Sequence, residues 1–291
     1  MDLKEFIQER RPNISKSSIT TYNSILKNLY KSVFPNDELD IKNFDNSEKI
    51  LKYLSDIEPN KRKTILSALV VITDNKDYRD KMLDDIKEYN KEISKQEKNK
   101  NQEDSWIDKE EIDKIYSILY HNAKLLYKKD SLTNSDLQEI QNYIIISLLG
   151  GIYIPPRRSK DYVDFKISDI DKSEDNYIEK NKLIFNSYKT AKTYGEQKVE
   201  IPKALKSILN KWIKVNPTKY LLFDTNMGKL SNVKLNQRLN KILGKKASVN
   251  QLRHTFLTEK YGDMIDTKKQ LDEDFKQMGS SSGQFQTYVK K

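Results

Sequence analysis

The sequence has no cysteine and only two histidines among its 291 residues. Without cysteine there is no disulfide bond, no thiol nucleophile and no zinc site built on Cys and His ligands. There is also no GxxxxGK[ST] phosphate loop, and no GxGxxG segment follows a predicted strand. These absences argue against ATP-driven and nicotinamide-dependent reactions, and we expect no metal and no cofactor.

Long apolar runs are missing as well. Hydrophobic residues make up 36% of the chain and charged residues 33%, and no run is long enough to span a bilayer. The first residues, MDLKEFIQERR, lack the apolar stretch of a secretory signal peptide. We therefore expect an intracellular protein with no membrane partner.

Basic residues are in excess, with 53 Lys and Arg against 43 Asp and Glu and a formal net charge of +10. This balance suits a polyanionic partner, because binding to phosphates releases condensed counterions. A lysine-rich surface also keeps proteins soluble, so the charge alone favours nucleic acid only slightly.

The first third of the chain has helical periodicity. SSITTYNSILKNLYKSVF and KRKTILSALVVITDN each carry apolar residues at helical spacing, and serines precede the first pattern as candidate caps. The stretch SKQEKNKNQEDS then contains no apolar residue, which is typical of a linker. We predict a helical domain over 1–95, a linker over 96–107 and a second domain over 108–291.

The second domain combines helices with a few β-like runs. NSDLQEIQNYIIISLLGG is a strong helix pattern, which Gly150 and then Pro155 bring to an end. NKLIFNSYKT and EQKVEIP resemble two strands joined by a turn, and helical patterns return after Pro202. The sequence therefore predicts a mainly α (α+β) fold with one small antiparallel sheet.

Three separate segments carry charged residues in suggestive patterns. PPRRSKDYVDFKISDID places Asp161 three residues after Arg158, which by itself indicates paired charges at the start of a surface helix. NSYKTAKTYGEQKVEIP places Lys189 and Lys192 at the end of a predicted strand, as in many basic hairpins. NQLRHTFLTEKYG places Arg253 inside an apolar helical pattern, where a guanidinium group needs an anionic partner.

Together with the C-terminal QMGSSSGQFQTYVKK, these segments resemble the tyrosine recombinase family, the phage-type integrases and their relatives. The family joins R-x-x-[ED], a hairpin lysine before threonine, [HK]-x-L-R-H-T-F and, after [LM]-G-[HW], a tyrosine. The matches occur here in the same order: Arg158 with Asp161, Lys189-Thr190, Leu252-Arg253-His254-Thr255-Phe256, Met278-Gly279 and Tyr288. The resemblance covers the whole chain, because the family also has a helical core-binding domain ahead of its catalytic domain.

The resemblance implies a site-specific recombinase or integrase that breaks and rejoins DNA through a 3′-phosphotyrosine on Tyr288. Arg158 and Arg253 would hold the non-bridging oxygens of the scissile phosphate. Lys189 would protonate the leaving 5′ oxygen, with Lys192 as the reserve for this role. A mobile element or a large DNA virus would be a natural setting for this activity.

The sequence departs from the family pattern at two positions. Asn250 stands where the family usually has His or Lys, and Ser280 stands where it usually has His or Trp. Neither side chain exchanges protons readily near neutral pH, and proton-transfer assistance is typically worth about 10²–10⁴-fold. We therefore expect a slower enzyme, and we assign His254 to structural support.

DNA contacts are expected from both domains. The resemblance implies that the helical front domain closes around duplex DNA, and basic residues of such a domain mostly contact phosphates. We expect such contacts from five residues: Lys16, Lys61, Arg62, Arg157 and Lys192. The expected partners are double-stranded DNA and, on that DNA, further copies of the chain.

Other functions remain open at this point. A type IB topoisomerase uses a similar set of Arg, Lys, Arg and Tyr to relax supercoils as a monomer. A DNA-binding relic of the recombinase fold without activity is a different class, which Asn250 and Ser280 motivate. A metal-dependent nuclease that uses three acidic ligands ranks last, because no placement of carboxylates supports it.

Overall fold

The computed structural model describes residues 2–290. The chain divides into two compact units, Met1–Lys98 and Asn99–Lys291. Helices dominate both units, and the strands of the second unit form one small antiparallel sheet. The predicted α+β class with a small sheet is thus confirmed. Within the described residues, no helix has both the length and the apolar character needed to cross a bilayer.

The first unit is helical throughout. The apolar face predicted for its second helix is buried, and Ser15 caps that helix by accepting a hydrogen bond from the backbone N–H of Ser18 at 3.1 Å. The core of the unit forms where the apolar faces of its helices meet. The helices are α1 (Leu3–Arg10), α2 (Lys16–Val33), α3 (Ser47–Leu54), α4 (Pro59–Thr73) and α5 (Lys76–Ser94).

The second unit is built around α8, which is buried on nearly all sides. Its helices are α6 (Lys100–Ser105), α7 (Lys109–Leu126), α8 (Asn134–Leu149), α9 (Ser159–Val163), α10 (Ala191–Tyr194), α11 (Lys203–Val215), α12 (Asn232–Leu243), α13 (Val249–Tyr261), α14 (Met264–Gln277) and α15 (Phe285–Tyr288). Its strands are β1 (Tyr177–Glu179), β2 (Lys182–Phe185) and β3 (Gln197–Glu200).

The end of the stretch predicted as linker, 96–107, contributes to the second unit. It contains α6, and Ile107 is fully buried. The hydroxyl of Thr255 on α13 donates to the backbone carbonyl of Ile107 at 2.6 Å. Ile107, at the end of the predicted linker, is therefore held against the helix that carries the LRHTF segment.

The sheet has the order β1-β2-β3 with antiparallel pairing, and Leu183 lies opposite Val199. β2 ends at Phe185, earlier than the run NKLIFNSYKT predicts. The reason is the buried side chain of Asn176, whose Oδ1 accepts from the N–H groups of Asn186 and Ser187, both at 2.8 Å. These bonds turn the backbone away from the ladder, and residues 186–196 form a loop that contains α10.

Candidate active site

Arg158 occupies the N-cap position of α9, and Arg157 separates it from Pro155 and Pro156. The two prolines and the extended backbone of Arg158 (φ −66°, ψ 152°) delay the helix until Ser159. The side chain of Arg158 is exposed, and it has no hydrogen bond or ion pair within the described residues. Its guanidinium group is open to a ligand.

Arg157, the preceding residue, is instead built into the second unit. Its Nε donates to Oδ2 of Asp161 at 2.8 Å, and its Nη1 donates to Oε1 of Gln197 at 2.9 Å. The guanidinium group also lies over the ring of Phe185, 3.9 Å from the ring centroid. The protein itself uses these donors and leaves only 18% of the side chain exposed. The contact between Arg157 and DNA stays a prediction that these contacts do not favour.

Arg253 lies in the first half of α13 and is half-buried. The N-cap of α13 is Ser248, which accepts from the backbone N–H of Gln251 at 3.3 Å. Nη1 of Arg253 is 3.4 Å from Oδ1 of Asn250, a long hydrogen bond, and no carboxylate pairs with Arg253 in the described chain. The anionic partner that the sequence predicts for this guanidinium is therefore not a direct ion pair.

Asn250 and His254 lie side by side on the exposed surface of α13. Nδ2 of Asn250 is 3.1 Å from Nε2 of His254, so the amide contacts both His254 and Arg253. The placement at the start of α13 puts Asn250 one turn ahead of the guanidinium. The amide of Asn250 is thus a neutral hydrogen-bonding neighbour of both Arg253 and His254.

A buried carboxylate links the electrostatics of the two arginines. Asp161 is 1% exposed, and its Oδ1 has no hydrogen-bond partner among residues 2–290. Burial raises the pKa of Asp161 above its ordinary value. The positive charges of Arg157, Arg158 and Arg253 oppose this rise, so all three act on the same carboxyl group. Arginines almost a hundred positions apart in the sequence therefore act electrostatically on the same carboxyl group.

The loop between β2 and β3, residues 186–196, carries both candidate lysines. Lys189 and Lys192 are exposed, and neither makes a hydrogen bond or an ion pair in the part of the chain that is described. The hydroxyl of Tyr188 donates to the carbonyl of Gly195 at 2.7 Å and closes the loop. The geometry does not choose between the two lysines as proton donor.

The C-terminal candidates lie at and after the end of α14. Gly279 has φ +68°, and the next residue, Ser280, donates its N–H to the carbonyl of Phe275 at 2.8 Å, which ends the helix in a Schellman motif. Tyr288 ends α15, is 54% exposed and packs edge-to-face on Phe275 with ring centroids 5.7 Å apart. Within residues 2–290 the structure does not bring the Tyr288 hydroxyl into contact with Arg158 or Arg253.

Among the front-unit candidates, Lys16 and Lys61 are exposed, whereas Arg62 is buried. Arg62 forms a two-pronged ion pair with Asp85 through Nε (2.8 Å) and Nη2 (2.7 Å). The charge of Arg62 is therefore already paired inside the unit, and the phosphate contact stays a prediction that this pairing does not favour.

Sequence reasoning did not identify the residues that support this site. Gln197, Phe185 and Asn176 hold the lysine loop and α9 together, yet each has an ordinary residue type for a short strand or a turn. The pairing of β2 with β3 brings Gln197 to Arg157, and no local sequence pattern predicts this contact. Within the described range, no three acidic or histidine side chains lie together as a group able to hold a metal ion.

Comparisons with known proteins give a likeness of structure alone. No protein-family model matches the sequence, and no curated protein matches it. Lambda integrase bound to DNA is similar at 15% identity, covering 92% of this chain and 89% of that chain, with a TM-score of 0.47. A lambda integrase dimer bound to a COC′ core site is similar at 15% identity over 93% of this chain and 73% of that chain, with a TM-score of 0.45. Lambda integrase is a tyrosine recombinase, the family whose motifs the sequence resembles.

Proposed function

We propose that this protein is a tyrosine recombinase that breaks and rejoins duplex DNA through a covalent 3′-phosphotyrosine. The observation that carries the proposal is the pair Arg158 and Arg253. Both guanidinium groups lack a carboxylate ion pair within residues 2–290, and both act on the buried Asp161. Two arginines that have no carboxylate partner and act on the same carboxyl group suit a dianionic transition state at phosphorus, where charge grows on the non-bridging oxygens.

The remaining steps follow from the chemistry of the transfer. The Tyr288 oxygen attacks phosphorus as its proton passes to solvent water. The bond from phosphorus to the 5′ oxygen breaks, and that oxygen takes up a proton. Lys189 or Lys192 supplies this proton, since an exposed ammonium group on a loop can act as a general acid. Attack by the freed 5′ hydroxyl on the phosphotyrosine reverses the chemistry and rejoins the strand.

Tyr288 has to reach the phosphate from its position on α15. Its ring packs on Phe275 by one edge-to-face contact, which is worth about 0.5–1.5 kcal/mol beyond area burial. A cost of this size is small beside the energy of binding DNA. Engagement of Tyr288 on DNA, in its own active site or in that of another copy, is part of the proposal.

Covalent trapping tests the function directly. Duplexes from DNA flanking the gene's own element would be incubated with the protein in EDTA, and denaturation-resistant adducts would be quantified for wild type and Tyr288→Phe. We expect an adduct only with wild type and nearly equal DNA affinity for the two proteins, because the phenol oxygen is the nucleophile and the ring is retained.

The control is Tyr261→Phe, which changes another exposed tyrosine in the same part of the chain (45% exposed, against 54% for Tyr288). An adduct with Tyr288→Phe would reject the nucleophile assignment. A duplex that wild type binds without forming any adduct would favour the DNA-binding relic. Relaxation of supercoiled plasmid without recombinant product would favour the topoisomerase.

A further inference from the structure

Arg157 has contacts on both sides of the lysine loop, residues 186–196. Phe185, under the guanidinium group, is the last residue of β2. Gln197, which accepts the hydrogen bond from Nη1, is the first residue of β3. The ring of Tyr188, inside the loop, lies 5.4 Å from the centre of the same guanidinium group. One side chain therefore contacts the entry, the interior and the exit of the loop.

The other end of this connection is the segment that holds Arg158. Nε of Arg157 donates to Asp161, whose side chain is only 2% exposed and which lies one turn further along α9. Asn176 also connects the loop to α9, since its Nδ2 donates to the carbonyls of Asp161 (2.9 Å) and Ser187 (2.8 Å). The side chains of Arg157 and Asn176 thus hold the loop against α9.

The lysines have no such contacts. Because Lys189 and Lys192 make no hydrogen bond or ion pair in the described chain, their positions depend on the backbone of the loop. That backbone is held by the Tyr188–Gly195 hydrogen bond and by the contacts of Arg157. Misplacement of a reacting group by about 1 Å can cost about 10²-fold in rate.

We propose that Arg157 is a positioning residue that holds the lysine loop against the Arg158–Asp161 segment and so sets the proton donor relative to the phosphate. This inference rests on the proposed function. Arginine suits the task because its planar fork donates in two directions while its face stacks on an aromatic ring. Lysine would keep the charge and lose both the fork and the stacking.

A substrate with a different leaving group separates this role from general damage. The 5′ oxygen of normal DNA needs a proton to leave, whereas the sulfur of a 5′-bridging phosphorothiolate leaves as a stable thiolate without one. A defect in proton donation therefore slows cleavage of normal DNA and spares the sulfur substrate. A defect in phosphate binding, in Tyr288 or in folding slows both.

The experiment measures single-turnover adduct formation on matched oxygen and sulfur duplexes. We expect Arg157→Gln to be slowed by about 10²-fold on oxygen and less than about 5-fold on sulfur, reproducing the pattern of Lys189→Ala or Lys192→Ala. Gln197→Ala keeps the ion pair of Arg157 with Asp161, so it is less prone to misfold than Arg157→Gln. We expect it to slow cleavage of the oxygen duplex more than that of the sulfur duplex, by a smaller factor than Arg157→Gln. The control Lys129→Gln, which breaks the 2.7 Å ion pair to the mostly buried Asp136 in the same unit, should match wild type.

Amide hydrogen exchange gives a second reading that needs no activity. Residues 186–196 should exchange faster in Arg157→Gln and Gln197→Ala than in wild type or Lys129→Gln, because the loop has lost a fastening. Unchanged exchange in the loop, or equal loss of rate on oxygen and sulfur DNA, would overturn the positioning role. If wild type formed no adduct on either duplex, the proposed function would fail, and the exchange data would still decide whether Arg157 holds the loop.

Discussion

Arg62 in the first unit differs from Arg158 and Arg253 in the second unit in how far the protein satisfies its guanidinium group. In the first unit, Arg62 is 7% exposed and pairs both prongs of its guanidinium fork with Asp85. Its Nη1 also donates to three carbonyls at and beyond the end of α3, those of Leu54, Ser55 and Ile57. In the second unit, Arg158 has no such bond within residues 2–290, and Arg253 has one long contact with an amide.

The contrast separates a structural cation from one that is available to a ligand. A guanidinium group has five donors and a permanent charge, so burial requires that both be satisfied. Arg62 meets this requirement inside its own unit, where it also caps a helix C-terminus. Arg158 is exposed and Arg253 is half-buried, so their donors are available to an anion such as a DNA phosphate.

The largest effect that we expect is the loss of stability of the first unit when the buried ion pair of Arg62 is removed. Arg62→Met should destabilise it by about 3–5 kcal/mol, because Asp85 is left buried with only the 3.5 Å contact of Lys81. Both tryptophans, Trp106 and Trp212, lie in the second unit. Loss of helical circular dichroism at lower urea, ahead of the change in tryptophan fluorescence, would locate the effect.

The matched control is Arg79→Gln. Arg79 pairs with Asp74 on the surface of the same unit, and both side chains are about half exposed or more. Exposed pairs are worth about 0–1 kcal/mol, so the urea midpoint should barely move. Equal midpoints for Arg62→Met and Arg79→Gln would contradict the structural role of Arg62.

The next effect concerns chemistry. Arg158→Gln and Arg253→Gln should each slow adduct formation by about 10²–10³-fold, because each removes a donor aimed at developing negative charge. Both variants should keep the wild-type free energy of unfolding within about 0.5 kcal/mol, since neither breaks a buried ion pair. The control is Lys160→Gln, which removes an exposed charge two residues from Arg158 and should affect affinity more than rate. A loss of stability without a loss of rate would show that Arg158 and Arg253 have a structural role like that of Arg62.

The sequence predicted much of the fold, because apolar periodicity records which face each helix buries. It also contained a signal for Arg62 that our prediction of a phosphate contact overlooked. Arg62 precedes the buried Leu66 by four positions and Leu69 by seven, so it shares the inward face of α4. Charge composition favoured the surface, and helical phase would have favoured the interior.

The roles of Arg157 and Arg158 could not be assigned in this way. The motif pairs Arg158 with Asp161 at three positions, whereas the structure pairs Arg157 with Asp161 at four. Both spacings are compatible with one helical turn. The deciding contacts come from the other side of Arg157, where Phe185 and Gln197 meet it only because β2 pairs with β3. Long-range pairing of this kind leaves no local trace in a single sequence.

The smallest effect that we expect falls on Lys61, the neighbour of Arg62. Lys61 is exposed and has no ion pair in the described part of the first unit, so its charge is available to a phosphate. In Lys61→Gln the slope of log affinity against log salt concentration should fall in magnitude by about 1, with similar weakening on every DNA sequence.

Lys76→Gln is the control for net charge, because Lys76 already pairs with Asp80 at 2.6 Å in the same unit. It removes the same charge and should leave the slope near that of wild type. If both variants changed the slope equally, the first unit would attract DNA through its overall charge. A change confined to Lys61 would show instead that local pairing decides which of two adjacent basic residues contacts a phosphate. Lys61 has no ion pair in the described chain and would bind DNA, whereas Arg62 is paired and stabilises the unit.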